Sequence, residues 1–351
     1  MKLTKKLFSL LIIALVLASC SSNNSSKETL KVFSWGEYID KSVISDFENE
    51  YGVRVIYETF DSNESMYTKL SSGASYDVLV PSDYMIQRLI EEDLLQKIDL
   101  TKVPNVSNLM NTTINKEYDK NMEYSVPYFW GTVGILYNKE TVNPQTVESK
   151  GWEIFKDTDY AGNIFFYDSE RDAFMVALKA LGYSVNTEDQ KELEDAYNWL
   201  IELNQTMNPV FVDDSVIDSM VSGNKDIANI YSGDATYIMS ENEEMAYYVP
   251  KEGSNVWQDA MVIPKNADNA ELAHKWMNYM LEHDVALANT IEVGYSTPIQ
   301  SVYDVVTGPG GDFEGYNSYL ESNNPNDEEY KFNSKTKEIV SEYWTKVKGV
   351  K

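Results

Sequence analysis

The sequence predicts an α/β protein of two lobes, joined by two extended crossovers, with a ligand cleft between the lobes. Three observations carry this. Strand and helix patterns alternate over residues 30–93 and again over 163–231. Two long extended runs, 124–138 and 256–263, lie where the chain would pass between these sets. And 351 residues are too many for one ordinary core and suit two.

The elements follow in order. Lys2, Lys5 and Lys6 precede an almost wholly apolar run, 7–17, too short to span a bilayer comfortably. Residues 1–19 therefore read as a signal peptide. Leu17-Ala18-Ser19-Cys20 resembles a bacterial lipobox, in which Cys20 would carry the lipid anchor to the membrane surface. The polar Ser21–Ser26 run makes 20–28 a flexible tether. Residues 30–35 read as a strand, and Val43, Ile44 and Phe47 have helical spacing in 40–50, which Gly52 closes. A β-branched strand (53–59), a short helix (65–70), an apolar strand (76–81) and a helix (83–93) complete the first set. The crossover 124–138 is broken by one proline and two glycines. A strand (163–167), helices (172–181 and 188–206) and a strand (226–231) form the second set, with Thr187 and Gln190 as a capping box for the long helix. The run 256–263 is the return crossover, and 270–281 and 335–348 are amphipathic helices. This places lobe 1 at 29–133 and 261–306, and lobe 2 at 134–260 and 307–351.

Composition narrows the function. Lys+Arg number 29 against 56 Asp+Glu, a net charge of −27. Without the three lysines of the signal peptide, 26 basic residues face 56 acids, or −30. Nucleic acid is excluded as a partner, because polyphosphate attraction needs basic surface. Two histidines and one cysteine argue against a Cys/His metal site, and a single cysteine allows no intrachain disulfide. The glycine-rich run 307–311 lacks phosphate-binding spacing, so no cofactor is expected.

In open α/β sheets, ligands meet the carboxyl ends of strands. Those ends carry Trp35-Gly36-Glu37-Tyr38, Pro81-Ser82-Asp83-Tyr84, Asp168-Ser169-Glu170-Arg171-Asp172 and Tyr231-Ser232-Gly233-Asp234. Trp257-Gln258-Asp259 lies in the return run and Gly294-Tyr295-Ser296-Thr297-Pro298 near the end of lobe 1. An aromatic ring beside a carboxylate recurs. That pairing suits an organic ammonium ion, whose charge seeks a carboxylate and whose polarised C–H groups seek ring faces. Singly, each residue has a structural alternative: Trp35 and Tyr84 as packing, Ser82 or Asp168 and Ser169 as helix caps, Asp234 as a turn residue. The joint pattern favours a binding site. Trp257 and Asp259, two apart on a strand, are expected on one face.

At these residues the chain resembles the spermidine/putrescine-binding proteins of bacterial polyamine ABC transporters, over about 30–298. The stretches that carry the resemblance are Trp35–Tyr38, Asp61-Ser62-Asn63-Glu64-Ser65-Met66-Tyr67, Tyr76–Ser82, Tyr124–Gly131 and Gly294–Pro298. It implies a type II periplasmic-binding-protein-like fold and a monomeric, extracytoplasmic lipoprotein that is not an enzyme. Such a protein hands a polyamine, putrescine or spermidine, to the permease subunits of an ABC transporter. It also implies a ligand set of Trp35, Glu37, Tyr38, Ser82, Tyr84, Asp172, Tyr231, Asp234, Trp257, Asp259 and Tyr295. In that set Trp257 and Tyr231 wall the aliphatic chain, and Asp259, Asp172, Asp234 and Glu37 receive ammonium groups. Ser169 stands where spermidine-preferring members carry an acid, and Tyr231 where a tryptophan is usual, so the choice of polyamine stays open. So do a same-fold protein for another solute such as ferric iron, a secreted glycosidase with paired carboxylates, and a surface adhesin.

Overall fold

The computed structural model describes residues 27–213 and 215–350. The expected signal peptide and Cys20 lie outside them, as does all of the tether except Lys27 and Glu28.

Among the described residues nine strands are ordered β2-β1-β3-β9-β4-β7-β5-β6, with β8 also paired to β4. In the first lobe β1 (Thr29–Trp35) runs parallel to β2 (Arg54–Phe60) and β3 (Val78–Leu79). In the second, β5 (Ile164–Tyr167) runs parallel to β6 (Val210–Val212) and β7 (Ile227–Tyr231). The two sheets meet at β4 (Ser125–Asn138), which pairs antiparallel with β9 (Val256–Val262) of the first-lobe sheet from Ser125↔Val262 to Thr132↔Val256. Beyond Thr132, β4 exchanges this partner for β7 and for β8 (Met245–Tyr248). Towards the first lobe, β9 is passed on to β3 at Leu79↔Val262. The expected lobe boundaries at 133/134 and 260/261 fall inside these two strands.

Helices cover both faces of each sheet, the arrangement that parallel strands require. In the first lobe, Lys41–Tyr51 and Ala270–Met280 bury Phe47, Trp276 and Met277 on one face, while Asn63–Ser71 and Asp83–Glu91 bury Met66, Met85 and Leu89 on the other. In the second lobe, Glu170–Ala180 and Gln190–Met207 pack with Trp152 and Phe166, and Val216–Val221 and Ser232–Glu241 pack opposite. The chain after Pro298 serves both lobes. Val302, Val306 and Tyr319 join the first core, and Val340, Trp344 and Val347 of helix Ser334–Gly349 join the second.

Two local expectations are corrected. The long helix is capped by Asp189, which accepts from the amides of Lys191 and Glu192. Thr187 instead donates its hydroxyl to Glu192. Asp wins because its carboxylate serves two orphan amides and favours the positive end of the helix dipole. Of the apolar run 76–81, only Val78 and Leu79 are strand, because Asp77 turns away to accept from the amides of Lys31 and Asn269. Gly52 ends its helix in the left-handed region, as expected.

Candidate functional site

A cleft of about 1920 Å³ lies between the lobes and is lined by all eleven expected site residues. The carboxyl ends of β1, β2, β5 and β7 open into it through Trp35, Phe60, Tyr167 and Tyr231. Four helices begin there, and each presents an acid from its first turn: Glu64, Asp83, Asp172 and Asp234. Their dipoles favour negative charge at those positions. A fifth carboxylate, Asp259, comes from β9.

Three of the expected acids each accept a hydrogen bond from an expected tyrosine. Tyr38 donates to Asp259 Oδ2 at 2.7 Å, Tyr231 to Asp172 Oδ2 at 2.6 Å, and Tyr295 to Asp234 Oδ1 at 2.9 Å. Burial raises all three phenols well above their ordinary range, with the neighbouring carboxylates adding to it, so they remain donors. The same rings form an edge-to-face run, Tyr38–Tyr295 at 5.8 Å, Tyr295–Trp257 at 5.1 Å and Trp257–Tyr231 at 6.1 Å. Tyr167 extends it by 5.1 Å beyond Tyr231. A continuous aromatic wall thus carries carboxylates tethered along it.

Two glycines permit this wall. A Cβ on Gly131 would lie 2.7 Å from the Trp257 ring, and one on Gly233 only 2.2 Å from the Tyr295 ring. Asp259 is 5% exposed, and its Oδ1 is buried without a protein hydrogen bond. Burial pushes its carboxyl up to about 6, against the opposing influence of the Ser82 and Tyr38 hydroxyls and the Arg171 charge. Ser82 bridges to Asp259 through the backbone and exchanges hydrogen bonds with Asn63, but it makes no side-chain cap on the helix it precedes. Trp35 stacks at a tilt on Phe60, 4.6 Å between centroids. Glu37 differs from the rest. It sits on the rim with its side chain 89% exposed, 3.7 Å from Lys41.

Four further groups of the cleft lie outside the expected ligand set: Arg171, Glu64, Asp83 and Tyr330. Arg171 lies 3.7 Å from the Tyr84 ring and 5.7 Å from that of Tyr330. Glu64 faces Arg171 and Lys337, which outweigh its desolvation and hold its carboxyl below the usual range. Asp83 is pushed well up, by burial first and then by Glu329 and Asp259. Arg171 and Glu64 were visible as first-turn charges beside strand ends. Tyr330 has no local signal, since it arrives from an irregular segment far along the chain.

Two α/β lobes joined by two crossing strands, with a cleft of tethered carboxylates and rings at the strand ends, define a two-lobe solute-binding protein of type II. The chain belongs to the bacterial extracellular solute-binding protein family, which it matches over residues 42–312. It is 37% identical over 287 residues to the spermidine/putrescine-binding periplasmic protein of Escherichia coli (strain K12), covering 81% of this chain and 82% of that one. Among solved structures, a spermidine/putrescine ABC transporter protein of Listeria monocytogenes superposes with a TM-score of 0.83 at 36% identity, over 92% of this chain and 99% of that one. The Tp0655 lipoprotein of Treponema pallidum superposes with a TM-score of 0.79 at 29% identity, over 91% and 99%. Membership places this chain among extracytoplasmic binding proteins of transporters rather than in an enzyme family. Among the described residues no helix is long and apolar enough to cross a membrane.

Proposed function

We propose that the protein captures a polyamine outside the cytoplasm and delivers it to the membrane subunits of an ABC transporter, making and breaking no bond. The observation that carries this is the set of three tyrosine-tethered aspartates along one aromatic wall. A flexible alkyl chain bearing ammonium groups meets both needs of that wall. Its charges pair with carboxylates, and its methylenes and polarised C–H groups lie on rings, each good cation–π contact contributing about 0.5–2 kcal/mol. Asp259, Asp234 and Asp172 receive ammonium groups, Trp257, Tyr231 and Tyr295 flank the chain, and Trp35, Ser82 and Tyr84 close the first-lobe side. Glu37, on the rim, acts on the approaching cation rather than as a buried contact. Cys20 anchors the monomer to the membrane by lipid, which incorporation of labelled palmitate into the full chain would reveal.

Calorimetric and thermal-shift titration of the purified protein tests the reading. Putrescine or spermidine should raise the melting temperature, as any ligand selective for the native state does. No shift at millimolar polyamine, beside a clear shift with ferric iron or a sugar, would sink it.

A further inference from the structure

Between Trp257 and Asp259, which face the cleft, strand alternation turns Gln258 the other way. Its side chain is buried and lines no part of the cleft. It enters the irregular first-lobe loop 110–119 and finds both of its partners there. Nε2 donates to the Thr113 carbonyl at 2.9 Å, and Oε1 accepts from the Tyr118 hydroxyl at 2.7 Å. The loop is itself fixed to the start of β4, since the Asp119 carboxylate accepts from the amides of Glu123, Tyr124 and Ser125 at 2.8–3.0 Å.

These two bonds fall where the sheet holds β9 least. On one side, the β4 ladder shifts register between Pro127 and Phe129, and Phe129 is the partner of Asp259. Such a bulge disrupts the local pairing and adds twist. On the other side, β3 ends at Leu79, whose partner is Val262. Past it the amide of Ala260 donates to the Pro81 carbonyl, and an isolated bridge joins Ser82 to Asp259. The amide of Gln258 meets the Asp83 carboxylate there, at 3.4 Å, in place of a strand.

We infer that Gln258 is a positioning residue, whose two bonds to the loop segment 113–118 fix the aim of Trp257 and Asp259 into the cleft. The inference rests on the polyamine reading above and deepens it: a loop that does not reach the cleft sets how well the cleft binds. A side-chain amide suits this post because it presents a donor and an acceptor at once. Leucine, of similar volume, takes both bonds away. Freed of them, β9 relaxes at its weakest point, and the indole and the carboxylate move together.

The test is calorimetric titration of the full-length protein with putrescine and spermidine, in the wild type, Gln258→Leu, Tyr118→Phe and the double variant, each below its melting temperature. For the more tightly bound polyamine, Gln258→Leu should lower affinity at least about tenfold, and Tyr118→Phe at least about threefold. The double variant should match Gln258→Leu, because the two residues share one bond. The emission of Trp257, taken as the difference from Trp257→Phe in the same background, should shift along with affinity. A merely structural role would lower the melting temperature and leave both readouts where they were. Affinities within about threefold of the wild type in folded Gln258→Leu and Tyr118→Phe overturn the inference, and so do additive losses in the double variant. If Gln258→Leu fails to fold, Tyr118→Phe decides alone. If the wild type binds neither polyamine, the polyamine reading fails. An unshifted Trp257 emission in Gln258→Leu then overturns the positioning role too, and a shifted one supports it.

Discussion

Asp259 shows at the residue scale what a binding cleft asks of a single side chain. A buried carboxylate is poorly placed to be charged, and burial pushes this one up to about 6 even against the Ser82 and Tyr38 hydroxyls and the Arg171 charge. The sign follows directly. A folded-state value above the unfolded one means that this group contributes most to stability below the ordinary Asp value, and that the contribution disappears as pH rises through about 6. At neutral pH the ligand-free protein therefore carries a penalty on the order of 3 kcal/mol at this position. A bound ammonium ion relieves it. Asp259→Asn should consequently leave the ligand-free melting temperature at neutral pH unchanged or higher, while polyamine affinity falls at least about tenfold, or roughly 1.4 kcal/mol. A folded variant with wild-type affinity would show that this carboxylate is not a ligand contact. The wild type should also bind roughly tenfold more weakly at pH 5 than at pH 7, because most copies of a carboxyl titrating near 6 are protonated at the lower value. Titrations across this range in one buffer series, with Asp259→Asn as the flat control, measure it.

At the scale of elements, the site depends on how closely β4 and β9 approach. Gly131 of β4 is paired with Trp257 of β9, and the indole lies across the missing side chain. A methyl there would sit 2.5 Å from Ser232 Oγ and 2.7 Å from the ring, distances at which something must move. Ser232 is held by the amide of Thr132, so the displaced partner is the indole. Gly131→Ala should lower polyamine affinity at least about tenfold and redshift Trp257 fluorescence. Circular dichroism should be retained, because one methylene-sized overpacking typically costs about 1–3 kcal/mol. Unchanged affinity would mean that the ring position is not critical.

At the scale of the whole molecule, two adjacent strands carry the covalent passage between the lobes, and the segment after β9 adds a third bridge. The amide of Phe332, on the chain that leads into the second-lobe helix Ser334–Gly349, donates to Gln87 of the first lobe at 2.8 Å. Arg171 and Lys337 reach the first lobe nearby, at Tyr84 and Glu64. The lobes are thus joined on this side as well, and a hinge rotation between them on ligand binding is the expected motion. Small-angle scattering should show a smaller radius of gyration with saturating putrescine than without it. No change, alongside calorimetric binding, would show that the ligand enters a preformed site.

Much of this protein is legible without coordinates. Strand and helix alternation, the glycine that ends the first helix, the two extended crossovers and the rings and acids at strand ends are local signals. They depend on side-chain periodicity and on what a chain must do to turn, so sequence alone carries them. Short pieces were not legible: β6 and β8, of three and four residues, have too few positions to show a period. The partnership of each acid was not legible either. Tyr38 and Asp259 are 221 residues apart, Tyr231 and Asp172 are 59 apart, and Tyr295 and Asp234 are 61 apart. Arg171 was visible as a lone basic residue, but its place over Tyr84 was not. Only the tertiary structure decides which acids stay charged, because solvation and hydrogen bonding depend on what the fold brings within a few ångströms. The sequence by itself determined the kinds of group at the cleft. The packing of one lobe against the other determined which of them are left to meet a ligand.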